Sequence, residues 1–120
     1  MIQDLHEAPP DEALKEMREF LQDEKRFCKI TSARDIDGNP VNSHSKKARS
    51  WCIEGLYYML GLSHNMVVKY LHEAAESLFN KNLIWVNDSL GHAAILQVID
   101  EAIEMAEGDS IEMMGMHGIG

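Results

Sequence analysis

The stretch from Ser89 to Glu107 constrains this chain most. Ile95, Val98, Ile99, Ala102, Ile103 and Ala106 recur at steps of three and four residues, and Asp100, Glu101, Glu104 and Glu107 fall opposite them. That is the period of an α-helix with one apolar and one acidic face. Such a helix is marginal alone in water and must bury its stripe against other elements. The spacing predicts a helix over 89–107, with Asp88 as its N-cap and Gly108 as its end.

Partners for that stripe lie upstream. Pro9 and Pro10, followed by Asp11 and Glu12, suit a helix start, and Ala13, Met17, Phe20 and Leu21 continue it over about 10–26. Ala48, Trp51, Cys52, Leu56 and Met59 predict a second helix over about 45–60, capped by Asn42, Ser43 or Ser45 and ended by Gly61. Val67, Tyr70, Leu71, Ala74 and Leu78 predict a third over about 64–79, with Ser63 as its cap. Between the first two, Asp37-Gly38-Asn39-Pro40 is a strong turn signal inside a β-permissive stretch, so 29–42 is a short β-hairpin or an ordered loop. Leu83-Ile84-Trp85-Val86 is too brief for a helix and reads as a buried extended segment. The expected architecture is mainly α: a four-helix single domain over 1–108 with the hairpin or loop between helices 1 and 2. The Met- and Gly-rich residues 109–120 are expected to be a flexible tail.

Charge narrows the function classes. The net charge of −9 is unevenly spread: −4 over residues 1–27, +3 over 28–50, −1 over 51–87 and −7 over 88–120. An acidic chain repels phosphate backbones, which argues against nucleic acid or anionic membrane as the main target. Lys46, Lys47 and Arg49 are the local exception, and their ordinary reading is a solvated helix start. No segment approaches the roughly 18 apolar residues of a membrane span, and the N-terminus carries no secretory pattern. A cytoplasmic setting is expected, with Cys28 and Cys52 both free.

Several motifs occur in a definite order: Ala33-Arg34-Asp35 with Asp37-Gly38, then Ala48, then Trp51-Cys52-Ile53-Glu54-Gly55, then Trp85-Val86-Asn87-Asp88, then Val98-Ile99-Asp100-Glu101-Ala102-Ile103. Over about residues 10–107 this resembles a small domain of unknown function found in phages, prophages and actinobacteria. Leu56 stands where that family often has alanine. The resemblance implies a shared fold and a phage or prophage setting, which would place the protein in the host cytoplasm; it implies no reaction.

Each candidate site competes with a plainer reading. Trp51 and Trp85 could stack a ligand, but tryptophan on an apolar helix face is usually core. Cys52 could be a nucleophile, but no base adjoins it in sequence. Asn87 and Asp88 could face a polar ligand, and they could equally cap a helix. His72 and Glu76 share a helical face, with His64 and His92 as further candidates, but nothing assembles a three-ligand zinc site. Met113, Met114, Met116 and His117 are soft ligands in a tail. No phosphate loop, nucleophile elbow or paired-cysteine motif occurs.

The expectation is therefore a non-enzymatic, cofactor-free, phage-type accessory protein that binds a protein partner through Asp100, Glu101, Glu104 and Glu107, one version being inhibition of a host defence or nucleic-acid enzyme. The alternative is a small-molecule or nucleotide site, or a hydrolase, near Trp51, Trp85, Asn87 and Asp88. A third possibility is pairing of helix faces between copies.

Overall fold

The computed structural model describes Leu5 and residues 7–119, with side chains to residue 109. The acidic–apolar helix organises it. This helix, α5 (His92–Ile119), packs its stripe between α1 (Pro10–Leu21) and α3 (Met66–Phe79). Ile95, Val98, Ile99 and Ala102 are fully buried in one cluster with Leu14, Met17 and Leu21 of α1 and Val67, Leu71 and Ala74 of α3. Each buried aliphatic side chain contributes about 1.5–3 kcal/mol. Around this layer sit α2 (Ile53–Met59) and the single turn α4 (Leu83–Trp85), which runs into a wide turn over Val86–Leu90.

The fold is mainly α, as expected, with five helices among the described residues rather than four. The hairpin forms: β1 (Ala33–Arg34) pairs antiparallel with β2 (Pro40–Val41). Its turn is made by Asp35, whose carboxylate accepts from the N–H groups of Asp37 and Asn39 at 2.9 Å, and by Gly38 at φ +88°. Those hydrogen bonds hold the Asp35 carboxyl below its ordinary pKa.

Four expectations are corrected. The second helix does not begin near 45. Ser50–Trp51 forms a third strand, β3, on the other side of β1, giving the order β2-β1-β3. Trp51 also bridges Phe27 in parallel, and its carbonyl accepts from Cys28 N–H. A long-range ladder thus claims the residues that local periodicity assigned to a helix. Leu83–Val86 is not extended, because Asn82 accepts from Trp85 N–H and closes a helical turn. Asp88 does not cap α5: its carboxylate accepts from Ile30 N–H at 2.8 Å, and the helix starts after Gly91 at φ +92°. At the far end the α5 backbone is helical through Gly108 to Ile119. Of the expected flexible tail at 109–120, the Asp109 carboxylate accepts from Tyr70 O–H at 2.7 Å; the side chains beyond it, the Met and His residues included, lie outside those described.

The motif Trp51-Cys52-x-x-Gly55 has a physical explanation. Cys52 Sγ accepts from Gly55 N–H at 3.2 Å and so caps α2. A Cβ at Gly55 would stand 2.0 Å from the carbonyl oxygen of Ser32. Only glycine lets the start of α2 lie this close to the segment leading into β1. Gly108 is the contrast, with nothing within 4 Å of a Cβ there. Gly55→Ala should therefore cost about 3 kcal/mol in urea denaturation, because a backbone carbonyl cannot move aside, whereas Gly108→Ala should gain about 0.5–1 kcal/mol from helix propensity.

Candidate functional site

None of the four residues first considered for a ligand, Trp51, Trp85, Asn87 and Asp88, lines the groove found among the described residues. Trp51 is core: its indole N–H donates to Ser43 C=O at 2.9 Å, and its ring meets Phe20 edge-on at 5.4 Å. Trp85 is 41% exposed, with the Lys81 ammonium 5.1 Å from its ring centre. Asn87 is 1% exposed and bridges segments: Oδ1 accepts from Ile53 N–H at 2.9 Å, and Nδ2 donates to Cys28 C=O at 3.2 Å and to Asp88 at 3.0 Å. Asn87 is thus the remote cap of α2, and Asp88 the anchor of Ile30.

What these two side chains hold up is the wall of an open groove of about 640 Å³, between the 24–34 segment and the start of α5. One side carries Phe27, Cys28, Lys29 and Ile30, and the other Leu90, Gly91 and His92. Arg34 closes one end, its guanidinium donating to the carbonyls of Gly38 (2.9 Å) and Lys29 (3.1 Å). Lys29 lies across Gly91, with Cε 3.0 Å and Nζ 3.2 Å from where a Cβ would be.

Ile30 is the most unusual residue of the groove. Its φ is +78°, in the left-handed region that β-branched side chains avoid, and it is 74% exposed. Holding an L-residue there costs about 1–2 kcal/mol, and exposing isoleucine returns nothing. The Asp88 carboxylate on its N–H secures the conformation. Strain of this kind marks a place where presentation of a side chain is what the fold retains.

The thiols do not suit nucleophilic chemistry. Cys28 and Cys52 are free and buried, and burial pushes both pKa values up, so both are protonated at neutral pH. His92 Nε2 lies 2.6 Å from Leu21 C=O, which can only accept, so this nitrogen carries the proton. Among the described residues no three His, Cys, Asp or Glu side chains group as metal ligands, and no helix is long and apolar enough to cross a membrane.

The acidic face of α5 is partly consumed. Asp100 pairs with Arg18 and Glu107 with Lys15, both at 2.8 Å, tying α5 to α1. Glu101 and Glu104 form no ion pair among the described residues. Sequence reasoning missed Lys29, Ile30, Leu90 and Gly91 as a site; the Gly91 left-handed turn was the one available signal.

No family model, curated protein or solved structure matches the chain.

If Ile30 is strained as its geometry states, Ile30→Gly should raise stability by about 1 kcal/mol in chemical denaturation, with Ile30→Val giving no gain. A loss of about 0.4–1 kcal/mol in Ile30→Gly, the cost of glycine's freer unfolded chain, would show that the left-handed conformation costs nothing.

Proposed function

We propose that the chain is a small binding module, of the phage or prophage accessory type that its motifs resemble, and that it docks on a protein partner through the groove between the 24–34 segment and α5. The observation that carries this is Ile30. A β-branched side chain is held at positive φ, mostly exposed, on the lip of a groove that also exposes Leu90 (45%). Exposed apolar side chains gathered at a concave site are the ordinary anchors of protein interfaces, and strain kept at the expense of stability is the usual signature of a functional surface.

A binding role also fits the thiols, which are buried and protonated rather than activated. The acidic face of α5 has weaker support as the docking surface, since Asp100 and Glu107 serve α1. A small-ligand site at Trp51, Asn87 and Asp88 has weaker support still, since their polar atoms are engaged within the fold.

The two surfaces separate in one experiment. Affinity capture from host lysate is run in parallel with tagged parent, Ile30→Gly and Glu101→Lys/Glu104→Lys. A protein retained by the parent and the charge-reversed variant but lost with Ile30→Gly is the expected result. Loss with the charge reversal alone would move the interface to α5, and equal recovery on all three would contradict both surfaces.

A further inference from the structure

The bases of this chain divide sharply by location. Outside 25–49 they are spent internally: Lys15 and Arg18 pair with α5, Lys69 with Glu73, and Lys81 stands over Trp85. Between Lys25 and Arg49 there are seven bases and two acids, and among the described residues none of those bases forms an ion pair. Arg26, Arg34 and Arg49 donate instead to backbone carbonyls, and Arg26 also stands over the Phe20 ring. In a chain of net charge −9 this stretch alone is strongly positive, at seven bases to two acids.

One side of the groove is built from that stretch. Lys29 and Arg34 line it, against the single carboxylate of Glu24. The Lys29 ammonium is held over Gly91, at the positive end of the α5 dipole, in a helix with no acid in its first turn. Two sources of positive potential therefore converge, with Glu24 the one carboxylate among the lining residues and the Asp88 carboxylate engaged on Ile30 N–H, and an incoming anion relieves both. Beside them Phe27, Ile30 and Leu90 offer apolar surface, which a phosphate backbone does not use and a peptide side chain does.

Resting on the docking reading above, we propose that the occupant of this groove is an acidic peptide segment of the partner, its carboxylates between Lys29 and Arg34 and an aliphatic or aromatic side chain against Ile30 and Leu90. Charge complementarity of this kind sets partner choice and association rate, and it weakens with salt.

The test uses the full chain, immobilised, to select from a randomised peptide library. A fluorescein-labelled peptide of the selected consensus is then titrated against the parent, Lys29→Glu and Ile30→Gly, each checked by circular dichroism. The expected consensus has Asp or Glu flanking Leu, Ile or Phe. Its affinity should fall about five- to tenfold in Lys29→Glu, fall in Ile30→Gly, and fall at high salt. A consensus without acids whose binding is still lost in Ile30→Gly would overturn the acidic chemistry and leave the docking groove standing. Binding indifferent to both substitutions, or no selected consensus, would overturn the groove itself. A single-stranded oligonucleotide that binds more tightly than the consensus peptide and displaces it would overturn the choice of a peptide.

Discussion

The side-chain amide of Asn87 is the interaction on which the rest of this structure depends. It is almost fully buried and uses both ends: it accepts from the first N–H of α2 and donates to the carbonyl of Cys28. Three segments far apart in sequence are joined by one planar group: the loop before β1, the start of α2 and the turn before α5. An unmet partner at either end costs about 1–3 kcal/mol, so the three segments hold their relative positions together or not at all. Among the described residues no buried side-chain polar atom is left without a partner.

The same knot explains why the short motifs occur where they do. Gly55 lets α2 approach Ser32, Cys52 caps α2 from its own side, and Asn87 caps it from across the chain. Arg34, Asp35 and Gly38 shape the hairpin that carries Trp51 on its third strand. The Arg34–Gly38, Trp51–Gly55 and Asn87–Asp88 segments therefore serve the scaffold. What the scaffold displays is next to it: Asp88, adjoining Asn87, holds Ile30 on the groove lip. Function in this reading belongs to the residues between the motifs.

Much of the fold was legible from local rules. The stripe of α5, the prolines of α1 and the Asp-Gly-Asn-Pro turn each act within a few residues, where periodicity and turn chemistry are strongest. The errors share another cause. Trp51 carries a helix-like period, but its backbone pairs with β1 and Phe27, and a two-residue strand leaves no alternation to read. Asn87-Asp88 looks like a local cap, and both side chains serve amides more than thirty residues away. Leu83–Val86 is too short for its period to decide, and Asn82 settled it. The positive φ of Ile30 had no signal at all, because isoleucine is among the last residues that conformation would suggest.

The Asn87–Asp88 turn holds the Ile30 backbone in its strained, exposed presentation. Native-state hydrogen exchange of the Ile30 amide, in the parent and in Asp88→Ala, tests it most directly. A residue so exposed would ordinarily exchange freely, yet its N–H donates to a carboxylate at 2.8 Å. Protection of about a hundredfold or more is expected in the parent, lost in Asp88→Ala while the Ile53 amide stays protected by Asn87. Free exchange at Ile30 in the parent would contradict it.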